Sequence, residues 1–376
     1  MTTAIARPAD LDRAALVTWA ATRIAVAVLV LAAMWMVVDS SGGHVPSWLA
    51  AWNHWDVDLY VKVAKYGYQG APEHYSDQGI VAFFPGEPLA LRAVHVVVRS
   101  WVASGLLISA VAGAVAAVAL ARLAALEAGR GAGSRAVLYL TLSPFAVFLA
   151  AGYSESLFLA FALWSWLAAR QRRWLLAGVL AGASASVRIT GVFLGAALLV
   201  QWLGDRDRAR LRSVVPLLLP FAVTAAYFGY LRAITGDWLA WPHAQADQWG
   251  RRFTAPWTAL STTWSAAFGD GGQGAAYIWS FRAEILAVFL GLLLCVALLL
   301  ARRWGELTYV GLQLAGLATS SFYLSVARAT LLWWPLWLLL ARAAGRHTWV
   351  HPAYLSVAPP LMAAGVVAFV QGHWVG

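Results

Sequence analysis

Residues 16–38 read LVTWAATRIAVAVLVLAAMWMVV, a run whose polar side chains are Thr18, Thr22 and Arg23. A helix rises about 1.5 Å per residue, so this run covers roughly 34 Å, enough to cross a hydrocarbon core of about 30 Å. Arg7 and Arg13 precede it, as basic residues precede a signal peptide. Yet the run is long, no Ala-x-Ala site closes it, and more apolar runs follow. These are 101–121, 135–150, 154–169, 174–188, 190–203, 213–231, 284–301, 305–324, 329–343 and 353–371. Together they predict an all-α, polytopic integral membrane protein of about eleven transmembrane helices, one domain over 1–376, with its termini on opposite sides. Composition agrees: 61% of residues are hydrophobic and 12% charged, against roughly 45–50% and 25% in soluble domains. Soluble enzymes, nucleic-acid binders and disordered chains are excluded, and no nucleic-acid partner is expected.

Charge sets the orientation. The net charge is +10, and 25 of the 27 basic residues are arginines scattered between apolar runs, a pattern suited to anionic membrane lipid. With the N-terminus cytoplasmic, the short inner loops take Arg122, Arg130, Arg135, Arg170, Arg172, Arg173, Arg206, Arg208, Arg210, Arg212, Arg302, Arg303, Arg342 and Arg346, as the positive-inside rule expects. Two long segments, 39–100 and 232–283, then face the non-cytoplasmic side of a cell membrane, and that side also takes most of the acids, including Asp56, Asp58, Glu73, Asp77, Glu87, Glu155 and Asp270. Many of the 22 tryptophans flank apolar runs, as an interfacial belt requires. The lone cysteine, Cys295, allows no disulfide or zinc site within one chain. His44, His74 and His243 show no metal spacing.

Several runs are short. A 15-residue helix covers about 22 Å, so 135–150/154–169 and 174–188/190–203 should leave a dent in the outer leaflet, floored by Gly152–Glu155 and Arg188–Gly191. Irregular backbone at that depth is tolerated where it is buried in protein or lines a cavity.

The segment 52–88 carries the polar chemistry. Trp52, Trp55, Leu59 and Val63 recur at helical spacing and predict an amphipathic interfacial helix, ended by Gly67. Asn53 as N-cap would make Asp56 the N3 acid of a capping box; from spacing alone, capping and catalysis both stand. Ser154 likewise could cap a helix with Glu155 in its first turn.

Trp55-Asp56, Tyr60, Ala64, Gly67-Tyr68 and Phe83-Phe84-Pro85 resemble the first outer loop of the PIG-V family, the second mannosyltransferase of glycosylphosphatidylinositol assembly and its bacterial relatives. Ser143-Pro144, Tyr153-Ser154-Glu155-Ser156-Leu157-Phe158, Arg188 and Gly191 extend the resemblance over 52–191. Gly86-Glu87-Pro88 departs from it, where the family continues with apolar residues and a second proline. The resemblance implies a glycosyltransferase of fold C (GT-C). Such an enzyme uses polyprenyl-phosphate mannose on the non-cytoplasmic face, with an acid of the first outer loop, here Asp56, as catalytic residue.

Inverting transfer needs a base for the acceptor hydroxyl and a partner for the leaving phosphate. Arginine suits phosphate through its planar fork, so Arg188 and Arg328 are candidates, against a structural pair with Glu155 and snorkelling, respectively. Glu155 could orient an arginine or contact the acceptor. Tyr153 and Tyr60 could donate hydrogen bonds or anchor at the interface, and Trp55 and His54 flank the acid. With arginine at the phosphate, no metal or other cofactor is expected. Trp238, Trp241, Trp249, Trp257 and Trp264 suggest that 232–283 covers the pocket, contacts the acceptor or lies on the membrane. The partners are then polyprenyl-phosphate mannose, a lipid or glycan acceptor and membrane lipid. A transporter or flippase of lipid-linked sugars would share the basic pocket but needs polar groups deep on both sides. A non-catalytic membrane subunit would not need Asp56.

Overall fold

The computed structural model describes residues 8–38, 47–69, 79–205, 211–269 and 274–376. Arg7, His44, Glu73, His74, Asp77, Arg206, Arg208, Arg210 and Asp270 lie outside them. In chain order the helices are α1 (Pro8–Val38), α2 (Asp56–Tyr66), α3 (Gly86–Val98), α4 (Trp101–Ala128), α5 (Arg130–Thr141), α6 (Glu155–Arg170), α7 (Trp174–Val187), α8 (Thr190–Leu203), α9 (Leu219–Thr235), α10 (Ala240–Trp249), α11 (Pro256–Phe268), α12 (Ala275–Leu300), α13 (Trp304–Ala318), α14 (Val326–Ala329), α15 (Trp334–Arg346) and α16 (Val350–Val370). Short 3-10 turns link several of them. Among the described residues the extended pairing is a single bridge between Phe253 and Ser320.

Every apolar run of the sequence is mainly helical, but the runs are not equivalent. Five helical stretches are long and apolar enough to cross a membrane: Ala9–Met36, Trp101–Ala128, Arg212–Thr235, Tyr277–Leu300 and Val350–Val370. The other six, α5, α6, α7, α8, α13 and α15, have 12 to 16 residues. The expected count of about eleven full spans thus becomes five long helices and six short ones. The short ones end at polar or irregular backbone, and there the functional chemistry gathers.

α4 lies at the centre, against α1, α5 and α6. Its buried face is mostly small residues, with Ser104, Gly105, Ser109 and Gly113 beside Ala112, Ala116, Ala117, Ala119, Ala121 and Ala124. Small residues let neighbouring backbones approach, which drives helix association where lipid removes the hydrophobic force. Gly105 packs directly on Gly152, where a Cβ on Gly105 would lie 3.0 Å from the Gly152 Cα. Arg23, within α1, is structural. It donates to the carbonyls of Thr141 (2.9 Å) and Ala146 (3.1 Å), satisfying backbone freed where α5 ends. Outward side chains such as Val28, Leu31 and Trp35 on α1 and Leu286, Phe289 and Leu300 on α12 are exposed, as lipid-facing positions would be.

Candidate active site

α2 starts at Asp56, not at Asn53. Asn53 instead ends a separate 3-10 turn, Ala50–Trp52, so the capping box is not formed. Trp55 occupies the N-cap position with φ 57° and ψ −123°, a backbone region that favours glycine and costs a bulky residue of order 1–3 kcal/mol. The break also changes the buried face. Helical spacing cannot be carried across the kink, and Val57, Tyr60, Val61 and Ala64 face inward in place of the expected Trp52, Trp55, Leu59 and Val63 stripe, of which Trp52, before the kink, and Val63, in α2, are buried. Gly67 ends the helix as expected, its N–H donating to the Val63 carbonyl (2.9 Å).

The kink delivers Asp56 into a chain of ion pairs. Arg328 Nη1 donates to Asp56 Oδ2 (2.8 Å), and Arg328 Nε donates to Glu155 Oε1 (2.5 Å). The same Glu155 oxygen accepts from Arg188 Nη1 (2.7 Å), which also donates to Ser154 Oγ (2.8 Å). Tyr60 donates to that Ser154 hydroxyl (2.8 Å), so Ser154 spends its side chain here and does not cap α6. The Glu155 and Arg328 side chains are 1% and 6% exposed, while Asp56 keeps 15% and Arg188 24%. Burial alone would lower the Arg328 pKa, but the Glu155 and Asp56 carboxylates outweigh it and hold that guanidinium above its ordinary value. Burial pushes the Tyr60 hydroxyl well above its ordinary value, so it serves as a neutral donor.

Arg328 sits on α14, a single turn fixed from behind. Glu284 of α12 is buried and accepts three backbone N–H groups, from Ser325 (2.7 Å), Val326 (2.7 Å) and Ala327 (3.0 Å). The Arg328 guanidinium also lies over the rings of Tyr153 (4.5 Å) and Phe148 (4.7 Å), contacts worth about 2 kcal/mol when desolvated.

Asp56, Tyr60, Arg188 and Arg328 line one cavity of about 490 Å³. Its lining is mixed. Val187, Ile189, Phe193, Leu317 and Leu332 supply apolar surface, and Gln245, Arg251 and Gln313 add further polar groups. Segment 232–283 divides: Trp241 and Trp249 of α10 line the cavity, whereas Trp238, Trp257 and Trp264 are exposed elsewhere. Trp241 Nε1 donates to the Ala82 carbonyl, and Trp249 packs edge-on to Phe83. The Phe83-Phe84-Pro85 motif is held as well by Tyr68 (2.6 Å) and Tyr227 (3.0 Å), both donating to the Phe83 carbonyl.

Four candidates stand off the cavity wall. Glu155 and Tyr153 act behind it, through Arg328. Trp55 packs edge-on to Trp374, and of that pair it is Trp374 that lines the cavity. The His54 ring faces Phe369, and its carbonyl accepts from Tyr153 (3.4 Å). Glu87, at the departure from the motif, is wholly buried, with both carboxyl oxygens unpartnered among the described residues. Burial, then the charge of Glu155, push its carboxyl up to about 8, so it is neutral near pH 7. Sequence reading missed Arg251, Glu284 and Trp374. An isolated acid at the head of an apolar run was the available signal for Glu284; nothing local marks the other two. Among the described residues no three His, Cys, Asp or Glu side chains gather as a metal site.

The pattern of the mannosyltransferase (PIG-V) family matches residues 21–204. The matched stretch contains Asp56, Glu155 and Arg188. The motif resemblance over 52–191 is thereby borne out, and it supports a membrane glycosyltransferase. No curated protein matches the chain. Among solved structures, the Archaeoglobus fulgidus oligosaccharyltransferase tethered with an acceptor peptide is similar at 12% identity, over 94% of this chain and 55% of that one, with a TM-score of 0.46. The apo form of that enzyme gives 11% identity, 95% and 56% coverage and a TM-score of 0.45. This chain therefore spans about half the length of that enzyme. ArnT from Cupriavidus metallidurans, bound to undecaprenyl phosphate, is 14% identical over 94% of this chain and 76% of that one, with a TM-score of 0.42.

Proposed function

We propose that the protein is a GT-C-type integral membrane mannosyltransferase. It moves mannose from polyprenyl-phosphate mannose to a lipid or glycan acceptor on the non-cytoplasmic face, with inversion and Asp56 as general base. One observation carries the reading. The Asp56 carboxylate sits on the wall of a cavity whose lining combines arginines with apolar side chains, and Oδ2 is clamped by Arg328 while Oδ1 has no partner among the described residues.

In the proposed step the acceptor hydroxyl oxygen attacks mannose C1 from the face opposite the phosphate. Its proton passes to Asp56, the C1–O bond to phosphate breaks, and that electron pair stays on the phosphate oxygen. The products are the mannoside and polyprenyl phosphate. Arg188 and Arg328 lie on the same wall to meet the charge that develops there, and the Ile189, Phe193, Leu317 and Leu332 surface suits a prenyl tail. A retaining route needs a second carboxylate about 5–5.5 Å from the first, free to attack. Glu155 is held by two arginines and stands off the cavity wall, which favours single-carboxylate inversion. The arginine distribution supports a cytoplasmic N-terminus, with the Asp56 face outside.

The test is turnover in proteoliposomes with polyprenyl-phosphate mannose, comparing wild type with Asp56→Asn. The loss of a positioned base lowers kcat by about 10²–10⁴-fold. Equal turnover by the two folded proteins removes the base assignment. No turnover by wild type with any lipid-phosphate sugar, together with labelled lipid crossing the bilayer, makes the protein a flippase.

A further inference from the structure

Four arginines line the cavity, and Arg188 and Arg328 are already committed to buried or part-buried carboxylates. Arg328 bridges Asp56 and Glu155, and Arg188 holds Glu155 and Ser154, at 2.5–2.8 Å. Arg251 is different. Among the described residues no carboxylate lies within ion-pairing distance of it. Its Nη1 reaches Gln245 Oε1 at 3.4 Å, its Nη2 reaches the Leu324 carbonyl at 3.3 Å, and its Nε is buried without a partner. Both contacts are long and neutral. Asp56 and Glu284 act on it only at longer range, Asp56 being held by Arg328 and the two Glu284 oxygens already accepting three backbone N–H groups. Arg252 next door is exposed and faces Asp247.

The backbone, not a partner side chain, aims Arg251. Gly250 ends α10 in the left-handed region (φ 62°), and the Arg251 N–H donates to the Gln245 carbonyl (3.0 Å). Beyond it the chain is pinned to the end of α13. Phe253 bridges Ser320, the Thr254 N–H donates to the Thr319 carbonyl (2.7 Å), and Ser321 bonds the Arg252 backbone on both sides. A partly buried cation held on a rigid support and lacking a counter-charge is costly unless an anion occupies the space it faces. Burial lowers its pKa to about 10, which still leaves it charged at neutral pH.

We propose that Arg251 is the phosphate-binding residue for the lipid-phosphate donor, its free guanidinium edge pairing with phosphate oxygens that the carboxylate-bound Arg188 and Arg328 meet only secondarily. This rests on the glycosyltransferase reading above and assigns the donor contact to the second outer segment. The class of ligand is a long-chain prenyl phosphate or its sugar phosphodiester.

The probes are undecaprenyl phosphate and undecaprenol, which share the tail and differ in the phosphate. Binding of each to the full-length protein in nanodiscs is measured for wild type, Arg251→Met and Arg251→Lys, with thermal melting alongside. Wild type binds the phosphate better than the alcohol. Arg251→Met loses about ten- to hundredfold in phosphate affinity, leaves alcohol binding unchanged and melts no lower than wild type, because no structural ion pair is broken. Arg251→Lys restores part of the loss by returning the charge without the fork. Retained discrimination in Arg251→Met overturns the assignment while leaving the glycosyltransferase reading intact. A lowered melting point or an unfolded Arg251→Met also overturns it, since the residue then serves the fold. Wild type that fails to prefer phosphate over alcohol overturns both.

Discussion

Glu284→Gln is a nearly isosteric change well behind the cavity, and it should disable the protein through Arg328. The wild-type carboxylate accepts one N–H on Oε1 and two on Oε2, all from the turn that begins α14. A glutamine keeps one acceptor oxygen. Its best orientation retains the Val326 and Ala327 bonds and sets an amide N–H against the Ser325 N–H. Two charge-assisted bonds become neutral, at a loss of about 1 kcal/mol each, and one buried N–H is orphaned at about 1–3 kcal/mol. The sum is roughly 3–5 kcal/mol. It falls on a turn whose next residue is Arg328, and an ångström of displacement at a reacting group can cost about 10²-fold. Purified Glu284→Gln should therefore melt several degrees lower and show kcat reduced about a hundredfold at saturating donor. Glu284→Ala, with three orphaned N–H groups, should be worse on both counts. A Glu284→Gln protein with unchanged melting and full turnover would refute the idea that this carboxylate positions Arg328.

Two more outcomes follow from other parts of the structure. Gly316 lines the cavity beside Leu317, and an added Cβ there meets nothing within 4 Å. Gly316→Leu should fold normally, gaining about 1 kcal/mol of helix propensity, and should raise KM for a long-chain donor about tenfold while sparing a short-chain analogue; equal KM values for both chain lengths would sink the tail assignment. Glu87 has a carboxyl raised to about 8 from an unfolded value of 4.5, so the folded state binds the extra proton and its stability is fully present below pH 4.5 and declines as pH rises through 8. Glu87→Gln should then be more stable than wild type by about 3 kcal/mol near pH 7, with the difference shrinking toward pH 5; a gap that does not change with pH would exclude a buried ionisable role.

Much of the fold was legible because apolar length and helical content are local properties. The eleven apolar runs all became mainly helix. How many are full spans was harder to read, because the boundaries of runs such as 154–169 and 190–203 depend on where polar backbone can be buried by other helices. The first outer segment shows the same division. Gly67 ended α2 as glycine should. The start of α2 was misread, since the positive φ at Trp55 is imposed by tertiary packing and leaves no trace in spacing. In the site, Asp56, Glu155 and Arg188 carry motif signals and converge. Arg328 was visible as a charge between two apolar runs. Arg251 and Trp374 reach the cavity through long-range folding, and no local pattern announces that.

The ionic chain from Arg188 through Glu155 and Arg328 to Asp56 stitches residues from the first outer loop, the α6 and α7 ends and the far C-terminal third into one knot. The family-matched portion ends at residue 204, before either Arg328 or Arg251. A protein severed there would retain the recognisable motifs yet strand Asp56 and Glu155 without their shared cation. Competence at this centre thus belongs to the whole polypeptide, and a fragment defined by kinship alone should be inert.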